Sequence, residues 1–280
     1  MHSKFQESRA NPRSKIALLA TLIMVLGVSV GFVSADEPGE ILWWDLLTED
    51  AEAAVGFYQQ LLGWDIQQVE NGSYVILHQE TPIGAISQIE TTLPDIEESF
   101  WLIGIEVGSV RKAVSAARKL GASVDKKGHS KGYAKYAVLE DLQGAMVMFL
   151  QPDRRLGGTD GPGAWVWAEL WTTDLSSASS FYDQVLGYTR SVLKRDTGDY
   201  PLFSTGSQPR AGMVEIGDRA IEPGWVPYIG VEDLEATIEK AKELGGTLYL
   251  KPAEEYDHGS VALLADPTDG AFFVYQLEEE

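Results

Sequence analysis

The chain has no cysteine among its 280 residues and only four histidines. The first absence removes disulfides, thiolate metal ligands, lipidated cysteine and a thiol nucleophile, and leaves stability to the core. Positive charge is scarce as well: 22 Lys and Arg stand against 42 Asp and Glu, a formal net charge of −20. Such a surface repels phosphate backbones and anionic lipid, so neither nucleic-acid nor membrane-surface partners are expected. No phosphate-cradling G-x-x-x-x-G-K-[ST], dinucleotide-binding G-x-G-x-x-G or zinc-binding H-E-x-x-H pattern occurs, which sets those chemistries aside.

Long apolar runs are confined to one. Lys4, Arg9, Arg13 and Lys15 precede the uncharged stretch from Ile16 to Val33, which ends in Val33-Ser34-Ala35. This is the pattern of a signal peptide over residues 1–35, and the run is also long enough for an uncleaved anchor over residues 16–33. Either way the rest of the chain is expected to be exported, periplasmic or secreted, with the membrane involved only through that segment. Without the four basic residues and Glu7, residues 36–280 keep 18 basic and 41 acidic side chains, a net charge of −23.

What the chain does have is a repeat. Leu42 to Gln67 (LWWDLLTEDAEAAVGFYQQLLGWDIQ) is restated 124 residues later by Val166 to Ser191 (VWAELWTTDLSSASSFYDQVLGYTRS). The same offset relates Trp101, Val107, Leu120 and Gly121 to Trp225, Val231, Leu244 and Gly245, and Asp141-Leu-Gln-Gly-Ala145 is echoed by Asp266 to Ala271. A period of this length is the size of a small domain, so the expectation is two tandem domains, 36–153 and 164–280. Arg154 to Gly163 (RRLGGTDGPG) is the linker, because its glycines and proline sustain neither helix nor strand.

Each copy reads strand, helix and several strands, and then the same again. In the first copy a strand from Ile41 to Leu47 leads to Asp50 as helix N-cap, an amphipathic stretch to Leu62 and Gly63 as its stop. Asn71-Gly72 between apolar runs signals a hairpin, followed by strands at Tyr74 to His78 and Ile83 to Ile89. Trp101 to Val107, a helix from Val110 to Leu120, and strands at Tyr133 to Leu139 and Ala145 to Leu150 make the second unit. The fold class is therefore α+β: paired βαβββ modules joined edge to edge in a curved sheet, with helices outside and a cleft inside.

The order of these marks resembles the vicinal oxygen chelate superfamily, which includes the glyoxalase, bleomycin-resistance and dioxygenase proteins. The marks are Phe57-Tyr58, Leu62-Gly63-Trp64, Leu120-Gly121 and Gly144-Ala145, repeated as Phe181-Tyr182, Leu186-Gly187-Tyr188, Leu244-Gly245-Gly246 and Gly270-Ala271. Within it the chain is most similar to the tandem-domain branch whose first strand reads W-x-E-L-x-T-x-D, matched by Trp167, Glu169, Leu170, Thr172 and Asp174, with Asp45 replacing the glutamate in copy one. The resemblance implies a half-barrel cleft in each domain and, in the metal-dependent members, three metal ligands per cleft. Carried onto this sequence, those positions hold Trp43, Leu102 and Met148, then Trp167, Val226 and Val274. None has an imidazole or carboxylate donor, so no metal or other cofactor is expected.

Alternation along the strands puts Ile41, Trp43, Asp45 and Leu47 on one face, and Trp165, Trp167, Glu169 and Trp171 on the matching face of copy two. A carboxylate amid aromatics must be paired, protonated or used. Asp45 and Glu169 are therefore either polar anchors of two apolar pockets or structural carboxylates at a domain seam. Tyr228 can point into the second cleft where copy one has only Gly104. His78 at a strand end, His129 in the basic loop Lys126 to Gly132, and His258 beside Asp257 complete the candidates, without the spacing of a metal triad. The leading expectation is an exported protein binding a small, flat or cationic organic molecule in aromatic, metal-free clefts, through Trp43, Asp45, Trp167, Glu169, Trp171, Tyr228, His78 and His258. The rivals are a glyoxalase-type lyase with a carboxylate base and a structural protein whose clefts are filled. A monomer and a homodimer both fit.

Overall fold

The computed structural model describes residues 39–69, 72–89, 99–195, 198–217, 221–254 and 257–278. The signal or anchor segment and Asn71 lie outside them. The first half of the chain runs β1 (Ile41–Thr48), α1 (Ala51–Leu62), β2 (Asp65–Gln68), β3 (Ser73–His78), β4 (Thr81–Gln88), β5 (Phe100–Glu106), α2 (Val110–Leu120), β6 (Ser123–Ser130), β7 (Ala134–Glu140) and β8 (Met146–Pro152). The second runs β9 (Trp165–Thr172), α3 (Leu175–Leu186), β10 (Thr189–Arg195), β11 (Gly198–Thr205), β12 (Gln208–Glu215), β13 (Gly224–Val231), α4 (Leu234–Glu243), β14 (Thr247–Leu250), β15 (Val261–Ala265) and β16 (Ala271–Gln276). Among the described residues no helix is long and apolar enough to cross a membrane.

Local chemistry sets the helix ends. Asp50 accepts from Ala53 N at 3.0 Å and Asp174 from Ser177 N at 2.9 Å, satisfying first-turn amides that the helix cannot. Gly63 and Gly187 close α1 and α3 with φ of 69° and 75°, a region where a Cβ is strained.

Each half builds its own curved, unclosed eight-stranded sheet, in the orders β2-β3-β4-β1-β5-β8-β7-β6 and β10-β11-β12-β9-β13-β16-β15-β14. The modules meet edge to edge where β1 runs antiparallel to β5 and β9 to β13. Lys126 to Ser130, expected in a loop, instead belongs to β6, paired to β7 as the sheet edge. Its lysines are where charge keeps an exposed edge from pairing with another chain.

The helix-bearing faces of the two sheets share one core, in which Trp44, Leu46, Phe57 and Tyr58 join Leu170, Phe181, Tyr182 and Trp225. Two buried hydrogen bonds cross between the halves in mirror fashion. Tyr58 Oη donates to Asp266 Oδ2 at 3.0 Å, and Tyr182 Oη to Asp141 Oδ2 at 3.1 Å. The Phe-Tyr and Asp-turn marks of the repeat thus bind the copies to each other. The linker is tied down as well: Trp64 Nε1 donates to Gly163 O at 2.8 Å, and Gly157, with φ 59°, passes so close to β1 that a Cβ would lie 2.6 Å from Leu42 O.

Candidate ligand-binding clefts

The faces turned away from the shared core carry two separate clusters, one per sheet. In the first, Leu42, Leu102, Met148 and Leu150 form a buried floor, with Trp43, Leu47, Phe100, Tyr133 and Tyr136 half-buried around it. In the second, Trp167, Trp171, Tyr200, Tyr228 and Phe273 are all buried. The expected faces of β1 and β9 hold except at their starts. Extra residues, Leu42 in β1 and Val166 in β9, create bulges that reverse the alternation. Ile41 and Trp165 therefore pack against the shared core, where Trp165 meets Trp44 and Trp101 at 5.3 and 5.1 Å between ring centroids.

Asp45 sits on the first cleft's face, between Leu102 of β5 and Ala85 of β4. Its Oδ1 is shielded from solvent and has no hydrogen-bond partner. Burial pushes its pKa up to about 6, against the pull of the Ser87 hydroxyl and the Lys126 ammonium. It presents an unspent acceptor, close to neutral in its protonation preference, on a partly open aromatic face.

Glu169, at the same strand position in the second cleft, is 0 % exposed and surrounded by its own donors. Tyr200 Oη donates to Oε1 at 2.5 Å and Trp171 Nε1 to Oε2 at 3.3 Å, while Trp167 Nε1 donates to Tyr200 Oη at 3.0 Å. Burial raises its pKa, and these donors, with the nearby Arg195 charge, hold it down in part. Gly212 of β12 makes room for Tyr200, since a Cβ there would lie 1.8 Å from Tyr200 Oη. Tyr228 stacks on Phe273 at 4.3 Å; at its counterpart Gly104 in copy one the room is taken by neighbours, a Cβ there lying 2.4 Å from Leu150 Cδ2. The sequence reading missed Tyr200 and Arg195, whose strands lie beyond the repeated motifs.

The histidine candidates each have a partner of their own. His78 Nε2 donates to Pro162 O at 2.9 Å and so fastens the linker. The His258 side chain is 85 % exposed and lies 3.0 Å from Glu254 Oε1; Glu255 and Tyr256 lie outside the described residues. His129 pairs with Asp153 at 2.5 Å, which holds the Asp153 carboxyl below its usual range. Gly128-His129-Ser130-Lys131-Gly132 does spell G-x-S-x-G. It runs off the end of β6 into a turn before β7, not from a strand into a helix as a nucleophile elbow requires.

A family model described as Glyoxalase/Bleomycin resistance protein/Dioxygenase superfamily matches residues 40–149. A protein named putative glyoxylase CFP32 from Mycobacterium bovis is 31 % identical over 83 % of this chain and 92 % of its own length. The chain belongs to this superfamily. Also similar is an anthracycline biosynthesis protein, DauV, from Streptomyces sp. (strain C5), 28 % identical over 86 % of this chain and 94 % of that one. Among solved structures, the Mn(II)-bound glyoxalase from Novosphingobium aromaticivorans aligns with a TM-score of 0.62 at 13 % identity, covering 87 % of this chain and 84 % of that one. That likeness is one of fold.

The superfamily's metal-dependent members raise the question of whether the donor set here fits an ion, and it does not. Trp43, Leu102 and Met148 line the first cleft as expected, as do Trp167 and Val226 the second. Val274, however, packs in the shared core, and Phe273 takes the cleft position. The reason lies in the turn: Asp266 Oδ1 accepts from Gly270 N as Asp141 Oδ1 does from Ala145 N, so Gly270 matches Ala145. Asp269, with φ 67°, takes the left-handed place of Gly144. Aligning the two glycines therefore shifted the last strand by one residue. Phe273 supplies no donor either, and among the described residues no group of three His, Asp or Glu could hold an ion.

Proposed function

We propose that this superfamily member binds a small planar organic molecule in its first-domain cleft, without a metal, and that a donor on the ligand reaches Asp45. The observation that carries this is the shielded Oδ1 of Asp45, without a partner and set among half-buried aromatic side chains. A buried acceptor left unmade costs about 1–3 kcal/mol, which a ligand N–H or O–H would recover. Trp43 and Tyr133, edge to face at 6.1 Å, offer rings for a flat ligand. The name of the anthracycline biosynthesis relative supports a fused-ring aromatic as the first class to try.

A titration of the full chain with an anthracycline and smaller planar aromatics, read by ligand fluorescence and calorimetry, tests this. Saturable binding that falls about tenfold or more in Asp45→Asn and Trp43→Ala, with folding intact, is expected. Equal binding by both variants would place the ligand elsewhere. Elemental analysis of the purified protein should find no stoichiometric transition metal, and one ion retained per domain would defeat the metal-free part of the reading.

The raised Asp45 pKa favours a second reading, proton abstraction by a lyase of glyoxalase type, because a base is most effective when its pKa is near the working pH. That reading predicts turnover abolished in Asp45→Asn while binding survives. Export, supported by the basic and then apolar sequence before residue 36, is tested by the mature N-terminus and the cell fraction that contains it.

A further inference from the structure

The second cleft contains a cation whose hydrogen-bond donors are unused. All three guanidinium nitrogens of Arg195, at the end of β10, are shielded from solvent and have no hydrogen-bond partner among the described residues. The guanidinium lies over the Tyr200 ring, 4.2 Å from its centroid. A second donor lies beside it: the Tyr228 hydroxyl, in a residue 0 % exposed, faces the Glu169 carboxylate without making a well-formed hydrogen bond to it. Glu169 is near enough to feel this charge but does not hydrogen-bond the guanidinium, its oxygens being engaged by Tyr200 and Trp171. Burial also favours its neutral form.

Arginine keeps its charge in any protein environment, and its five N–H groups form a planar fork that matches a carboxylate in bidentate fashion. A buried cation left unpaired is strongly destabilising, so an anion seated here would relieve a strain the fold already carries. We propose that the second-domain cleft is a separate binding site for an organic carboxylate, held by the Arg195 fork and the Tyr228 hydroxyl. The apolar walls fit an organic acid better than a strongly hydrated inorganic ion: Trp171 and Phe273 stand edge to face at 6.3 Å, with Leu202, Val214 and Ile216 in the same cluster. The nitrogens have almost no accessible surface, so the ligand seats by turning a neighbouring side chain aside. The Tyr200 ring, which the guanidinium overlies, is one such side chain.

The test uses the full chain with benzoate and inorganic phosphate as probes, read by thermal shift and calorimetry. Benzoate is expected to stabilise the wild type, to have no effect through this site in Arg195→Met, and to bind about tenfold more weakly in Tyr228→Phe. Phosphate should not stabilise, and Asp45→Asn should leave the Arg195-dependent part of the benzoate shift unchanged, which separates this site from the first cleft. The proposal is overturned if benzoate leaves the wild type unmoved, or if its effect persists in full in Arg195→Met. A phosphate response that depends on Arg195 would overturn the organic part. Should Arg195→Met fail to fold, Tyr228→Phe decides, and undiminished benzoate binding there counts against the site.

Discussion

Strand register pairs the two clefts residue by residue. Trp43 corresponds to Trp167, Asp45 to Glu169, Gly104 to Tyr228 and Met148 to Phe273, while Ala85 in the first cleft faces its carboxylate strand as Gly212 does in the second. At the outer positions the second copy carries the larger side chains, Leu47 becoming Trp171 and Ser73 becoming Tyr200. The smaller set leaves half-buried aromatics around a buried floor, with one carboxylate oxygen unspent. The larger set closes around its carboxylate and leaves donors unspent instead. The same backbone therefore yields two complementary environments, one short of a donor and the other short of an acceptor.

The harshest way to break this comparison is at Gly212. Gly212→Ala puts a methyl group 1.8 Å from Tyr200 Oη, forcing out the tyrosine that caps Glu169. It should cost about 3 kcal/mol in urea unfolding. The reverse change in the first cleft, Ala85→Gly, should cost under about 1 kcal/mol. Similar losses at the two positions would mean that the second cleft is no more tightly filled than the first.

Asp45→Asn sharpens the contrast through pH. Burial pushes the folded carboxyl's pKa up to about 6 from an ordinary 3.8, so the wild type holds its full contribution below about pH 4 and loses it as pH rises through 6. Asparagine does not titrate. The variant should therefore gain on the wild type by about 2 kcal/mol between pH 4 and 7, taking 1.4 kcal/mol per unit and allowing for a half-buried group. A pH-independent difference would return Asp45 to an ordinary solvated carboxylate.

The cross-copy bonds give a smaller and graded effect. Tyr182→Phe removes the donor to Asp141 and the acceptor of Trp225 Nε1 at 3.2 Å, so it should cost about 2 kcal/mol, and Tyr58→Phe about 1 kcal/mol. Equal costs would indicate that the Trp225 contact contributes no more than that of Trp101 beside Tyr58. His258→Ala should change neither stability nor the binding of any probe, consistent with its exposed side chain.

Much of this could be read from the sequence. The duplication, the Asp caps and glycine stops, and the placing of Asp45 and Glu169 on cleft faces all follow from short-range periodicity, which strands and helices obey over five to ten residues. The reading failed where one residue was added without altering the pattern. The bulges at Leu42 and Val166 turned Ile41 and Trp165 to the other face, and the longer Asp266 turn moved Val274 out of the cleft. Tyr200 was not legible because its place depends on Gly212, which lacks the Cβ that would exclude it, and Arg195 because its place is against the Tyr200 ring. The His78 contact was not legible for a similar reason, its partner Pro162 being 84 residues away.

The mirrored Tyr58–Asp266 and Tyr182–Asp141 bonds also bear on how the molecule comes apart. Separating the copies would strip each buried aspartate of its tyrosine donor at the same moment as it wets the core they share. Neither half can therefore melt while the other stays intact without stranding a polar group in its partner. The duplicated chain should behave as a single cooperative unit, with one heat-absorption peak whose calorimetric and van't Hoff enthalpies agree. In that respect the gene duplication has left one folding unit where the sequence shows two.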